Sequence, residues 1–284
     1  MRSQWECLLQ NLGEWHGSFA RFSPQGELLE DTPSIVSLEG LKNNQTIRQT
    51  IHHSLPSTNG AAALKVQDKV FEYSSLGQDV LFFENGACSQ GSIQVSPGSE
   101  FGAELELIDG DRRLRLVQMF EQTGCLKNLI LIRERRNSAP TAERPPLTID
   151  DLLGEWQGEA VKIYASGRSP ETYPTSLRFD QNSLGQLTQQ IAINQGPETH
   201  NIQSTARTEG SSLYFDGGPQ PYQVMLLPDG VSSSFPQRLK QVGRLFLEVG
   251  WLLQSDLRQR LIRSYNDQGE WIALTLVTER KTKP

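Results

Sequence analysis

Apolar and polar residues alternate in short runs along most of the chain, the period of half-buried strands rather than of helices. Residues 17–22 alternate, 46–55 are rich in β-branched side chains, and 71–73 and 80–83 are short aromatic and aliphatic runs bounded by turn residues. The signal is clearest at 103–135. There 103–108, a turn at Asp109-Gly110-Asp111, 113–121, a turn at Gln122-Thr123-Gly124 and 126–135 predict a three-strand meander. The runs 245–253, 258–266 and 270–280 repeat it. Only 3–11 and 149–153 read as helix. Many short strands joined locally predict an all-β protein, and closing such a meander into an up-and-down barrel removes its exposed edges. A twisted open sheet or a sandwich satisfies the same pattern.

The meander recurs because the whole sequence does. Leu12-Gly13-Glu14-Trp15-His16-Gly17 returns as Leu153-Gly154-Glu155-Trp156-Gln157-Gly158, and the offset grows from 141 at Trp15/Trp156 to 145 at Arg113/Arg258. A period this long means two complete units rather than a solenoid, whose repeats run to about 20–50 residues. The polar, Pro-rich stretch Asn137 to Pro146 lacks periodic apolar residues and reads as a linker. The expected organisation is a first unit at 1–137, a linker at 138–146 and a second unit at 147–284.

Gly13-Glu14-Trp15 and Gly154-Glu155-Trp156, each after a short helix and before a strand, resemble the opening signature of the calycin superfamily, the lipocalin-type barrels. The resemblance implies two tandem antiparallel lipocalin-like β-barrels. It also implies that Trp15 and Trp156 plug the barrel ends, each with an arginine from a late strand across the ring: Arg135 and Arg280 first, Arg115 and Arg260 second. Such a cation–π pair contributes roughly 0.5 to 2 kcal/mol. The run Leu152 to Glu159 looks like the first strand of the small haem barrels called nitrobindins, but the late strands here lack the histidine that family uses, so haem ligation is not expected. The tandem arrangement resembles a family of unknown function from cyanobacteria and plants with two lipocalin-like barrels. A related calycin branch holds the phycobiliprotein lyases, which pass a bilin to a client cysteine; no lyase signature is present here.

Composition narrows the function classes. The 284 residues carry a net charge of −6 and a pI near 5.4, which disfavours nucleic acid as a partner. No run approaches the roughly 20 apolar residues of a spanning helix, so no membrane span is expected. The N-terminus lacks the apolar core of a secretory signal. Three cysteines at unrelated spacings suit a reducing, cytoplasmic setting. His16, His52, His53 and His200 have no ligand spacing, so no metal site is expected. Nucleophile elbows, phosphate loops and metalloprotease motifs are all missing, so binding is expected rather than catalysis.

The remaining candidates are arginines and aromatics. Arg113 with Arg115, and Arg258 with Arg260, each share one strand face. They either look outward and pair with carboxylates, or look inward and hold an acidic group through the guanidinium fork. Arg263, on the Leu261/Tyr265 face, is a further inward candidate. The second unit is the expected carrier because Trp251, Arg263, Tyr265 and Trp271 stand where the first places Glu106, Gln118, Phe120 and Leu126 at the 145-residue offset. The expected ligand is a hydrophobic small molecule with an acidic group, a fatty acid or a linear tetrapyrrole. The alternatives are a chromophore lyase-like chaperone with a client protein, and an interaction module whose barrels are filled by side chains.

Overall fold

The computed structural model describes residues 2–55, 65–96, 98–136, 143–195, 198–240 and 243–282. The chain is nearly all β and forms two barrel-like units. In the first, β1 (Gly13–Phe22), β2 (Leu28–Leu41), β3 (Thr46–Leu55), β4 (Lys65–Tyr73), β5 (Val80–Phe82), β6 (Cys88–Gly91), β7 (Phe101–Asp109), β8 (Arg112–Phe120) and β9 (Leu126–Arg135) make one antiparallel sheet. Its order is β4-β3-β2-β1-β9-β8-β7-β6-β5, so β4 and β5 are its two edges and the sheet does not close.

The second unit closes. It comprises β10 (Gly154–Tyr164), β11 (Glu171–Gln181), β12 (Leu187–Gln195), β13 (Glu198–Glu209), β14 (Ser212–Phe215), β15 (Tyr222–Leu227), β16 (Val231–Pro236), β17 (Leu245–Gln254), β18 (Leu257–Tyr265) and β19 (Trp271–Lys281). β10 pairs with β19 from Trp156↔Lys281 to Tyr164↔Ala273. β13 meets β14 through three pairs alone, Arg207↔Tyr214, Thr208↔Leu213 and Glu209↔Ser212.

The repeated motif builds the same device twice. A short helix, α1 (Gln4–Leu8) or α2 (Ile149–Leu152), starts at a capping box, Ser3 with Glu6 or Thr148 with Asp151. Gly13 (φ +126°) and Gly154 (φ +103°) then turn the chain into the strand through a conformation a side chain resists. The indole of Trp15 donates to the Asn11 carbonyl and that of Trp156 to the Leu152 carbonyl, both at 2.9 Å. The second glycine of each motif makes room: a Cβ on Gly17 would stand 1.8 Å from the Arg133 carbonyl, and one on Gly158 2.6 Å from that of Thr278.

One hydrophobic core belongs to both units. Phe101, Leu105 and Leu107 of β7 and Leu114, Leu116 and Phe120 of β8 pack in one cluster with Leu247, Val249 and Trp251 of β17 and Leu261 and Tyr265 of β18. Backbone bonds cross the boundary as well, from Val95 to the Gly269 carbonyl and from Trp271 to that of Ile93. The last part of the expected linker is held too. Arg144 donates to the Leu253 carbonyl and, through its backbone, to Asp229, which also receives Arg112 from the first unit. Residues 138–142 of that linker lie outside the described residues.

The shared core predicts a single unfolding event. Trp251→Ala should cost about 3–5 kcal/mol, as for other large buried aromatics. Calorimetry should show one transition displaced as a whole, and two resolved transitions, with the first unmoved, would contradict the packing.

Candidate functional site

Inside the closed barrel lies a cavity of about 770 Å³. Leu177, Phe179, Ile191, Leu213, Phe215 and Val224 supply apolar wall, and Glu248, Arg258 and Arg260 supply charge. The half-exposed Ile202 and the loop from Gly217 to Gln220 reach the same space. The polar end rests on strand alternation. Arg258 and Arg260 project from one face of β18, whereas Leu261, Arg263 and Tyr265 lie on the other, against the first unit.

A single carboxylate serves both cavity arginines. Glu279 of β19 pairs with Arg258 and stands 3.2 Å from Arg260 Nε, and Arg260 Nη1 reaches Glu248 at 3.3 Å. Burial alone would raise the carboxyl of Glu279, but the guanidiniums of Arg258 and then Arg260 outweigh it and hold it below the usual range. For Glu248 burial wins, and its carboxyl is pushed up. Arg258 Nε donates to Glu279, and Arg258 Nη2 and Arg260 Nε lie against the same carboxylate.

The first unit carries the same cluster with one extra acid. Glu134 receives Arg113 at 2.8 Å and Arg115 at 2.9 Å, and Arg115 also pairs with Glu104 at 2.9 Å. Glu106 faces Arg115 across the ladder, where Gly250 faces Arg260 in the second unit. Glu106 lies 4.0 Å from Arg113, and burial pushes its carboxyl up to about 7. Val36, Leu38, Ile47 and Phe82 pack around Trp15 in this unit's own core, with Phe19 and Tyr73 against them.

Several expected positions need correction. Both tryptophans are fully buried, but their ring partners are Arg113 (4.4 Å) and Arg136 (4.6 Å) for Trp15, and Arg258 and Lys281 (both 5.1 Å) for Trp156. Arg135 and Arg280 are each one residue short, and a one-residue step along a strand reverses the face. Arg280 instead reaches Asp256 at the surface. Arg115 lies over Phe19, not Trp15, and Arg260 is drawn to its two carboxylates.

Trp251, Arg263, Tyr265 and Trp271 do not line the cavity; they belong to the boundary between units. Arg263 is fully buried there, 3.7 Å above Trp271, and donates to the carbonyls of Gly91 and Ser92 and to the Tyr265 hydroxyl. Tyr265 in turn donates to the Ser92 carbonyl. The 145-residue offset also slips at β17, because Trp251 pairs with Gln259 as Leu107 pairs with Leu114, leaving Glu106 matched to Gly250. The carboxylates Glu134, Glu279, Glu104 and Glu248 were missed as site residues. Glu134 and Glu279 stand directly across from the first arginine of each pair, whereas Glu104 and Glu248 sit two residues beyond the second, across from Val117 and Ile262. Among the described residues no cluster of three or more His, Cys, Asp or Glu could hold a metal.

A crystal structure of a protein of unknown function from Nostoc punctiforme shares 52% identity over 99% of this chain and all of its own, with a TM-score of 0.90. The chain belongs to the DUF3598 family. Residues 1–139 match the model of the DUF3598 N-terminal domain, a domain of unknown function. Residues 143–282 match that of the C-terminal domain of biogenesis factor required for ATP synthase 1. An S-type phycobiliprotein lyase from Guillardia theta shares 12% identity over 48% of this DUF3598 chain and 90% of its own, at a TM-score of 0.39, too distant to carry an argument. No curated protein matches the chain.

Two outcomes check the ionic clusters. Glu279→Gln strands the buried Arg258 guanidinium, leaves Arg260 with Glu248 alone, and should cost about 3–5 kcal/mol in denaturant titration. Glu106 binds its proton more tightly folded than unfolded, so stability should fall as pH rises from its ordinary 4.5 towards about 7. Glu106→Gln should flatten that window, and an unchanged pH profile would contradict the assignment.

Proposed function

We propose that this chain is a non-catalytic carrier whose second barrel holds a hydrophobic small molecule with an acidic group, a fatty acid or a linear tetrapyrrole. The observation that carries the reading is the apolar cavity ending on Arg258 and Arg260. Its volume, about 770 Å³, falls in the range of about 300–1,000 Å³ common to small-molecule sites. Ten strands enclose a wider lumen than the roughly eight whose interior side chains just fill. The site residues are therefore Arg258 and Arg260, while Arg113 and Arg115 keep the corresponding place in a unit packed around Trp15. A calycin origin for both units draws support from the paired glycines and buried tryptophans. A cytoplasmic location draws support from three free cysteines.

A second reading rests on the match over residues 143–282. A domain shared with a factor named for ATP synthase biogenesis favours a protein client, with the second unit as the contact. A chaperone that carries a chromophore to its client would combine both readings.

Titration of the full chain with a fluorescent fatty acid and with biliverdin tests the carrier. Saturable binding of at least one probe is expected, and Ile191→Trp should abolish it by filling the cavity while the melting temperature stays near that of the wild type. Absence of saturable binding by both probes, or binding indifferent to Ile191→Trp, would overturn the reading in favour of the client.

A further inference from the structure

Resting on the carrier reading, we infer that the polar end of the cavity is a carboxylate-exchange site, in which the ligand's carboxylate takes the place of Glu248 beside Arg260 and Glu248 takes up a proton. The geometry singles out Glu248. Glu279 lies off the cavity wall, held by both guanidiniums, whereas Glu248 is on the wall and has one ion-pair partner among the described residues, at 3.3 Å. Arg258, Arg260 and Glu248 are all more than nine-tenths buried. Two guanidiniums and two carboxylates are neutral together. A ligand carboxylate added to that set would leave a buried net negative charge, which is costly. One proton from solvent, forming an O–H bond on Glu248, restores neutrality and turns that side chain into a hydrogen-bond donor to the newcomer. No other bond forms or breaks.

The groups facing Glu248 favour this exchange. β18 presents Arg258 and Arg260, β19 presents Glu279, β15 presents Tyr222, and β16 presents the hydroxyls of Ser232 and Ser234. Tyr222 stays neutral, because burial pushes its hydroxyl up. Glu248 is the easiest carboxylate to protonate, since burial already works against its charge. The first unit explains why only one barrel is suited: Glu106 there adds a third carboxylate where Gly250 leaves none. The ligand class is thus an apolar molecule with a free carboxylate, and its alcohol or ester is excluded from the exchange.

The test uses the full chain with palmitate and hexadecanol, and with biliverdin and its dimethyl ester. Over the pH range in which Glu248 is ionised in the free protein and protonated in the complex, affinity for the acid of the true ligand class should fall about tenfold per pH unit, as uptake of one proton requires. The alcohol or ester should show no such slope. Whichever acid shows the slope identifies the source of the carboxylate. Glu248→Gln should bind that acid without the slope. In the wild type, ¹³C NMR of the carboxyl-labelled acid should show the bound group ionised, a measurement that does not depend on the variant folding. A slope kept in Glu248→Gln, a bound acid that is neutral, or pH-independent binding by the wild type would overturn the exchange while leaving the carrier standing. Failure of both acids to bind at any pH would remove the carrier itself.

Discussion

A carboxylate buried on the last strand, Glu134 in one unit and Glu279 in the other, must meet two guanidiniums before either unit can close over it. Neither partner is tolerable alone in that interior, and the pair costs desolvation that only good geometry offsets. This requirement fixes the register of the last two strands. It also brings Arg113 over Trp15 and Arg258 over Trp156, so the cluster and the tryptophan set each other's position. The helix, the first glycine and the indole hydrogen bond then follow from where the ring has to sit.

The outer faces of the same strands are equally committed. Leu114, Leu116 and Phe120 of β8 and Leu261 and Tyr265 of β18 meet in one core, and Arg263 is buried with them. An arginine in such a place has to be satisfied by carbonyls, and those of Gly91 and Ser92 come from the other unit. Duplication has therefore produced two copies whose late strands lean on each other rather than two beads on a string.

This explains what could and could not be seen in the sequence. The all-β class, the duplication and the shared face of each Arg-x-Arg pair follow from period two and from repeated wording. Which face pointed into the barrel was hidden, because β8 and β18 are covered on both sides and alternation then carries no sign of inside and outside. The ring partners Arg136 and Lys281 were missed by a single residue, the smallest error that reverses a strand's face. The open edge of the first sheet was equally hidden, since β4 and β5 carry ordinary strand patterns and only tertiary geometry keeps them apart. Glu106 opposite Arg115, against Gly250 opposite Arg260, was legible only after the ladders corrected the alignment.

The seam between β13 and β14 has a kinetic meaning. Three rungs close the hoop there, whereas β10 and β19 share nine. Fraying begins where the fewest backbone bonds must break. Gln203, Ser204 and Thr205 on one side, and Gly217 to Gln220 on the other, bound the cavity beside that seam. Fraying at this point would open the cavity to solvent without disturbing the tryptophan plug or the common core. Access to the cavity is thereby set apart from the stability of the fold, and the two can be tuned in evolution by different residues.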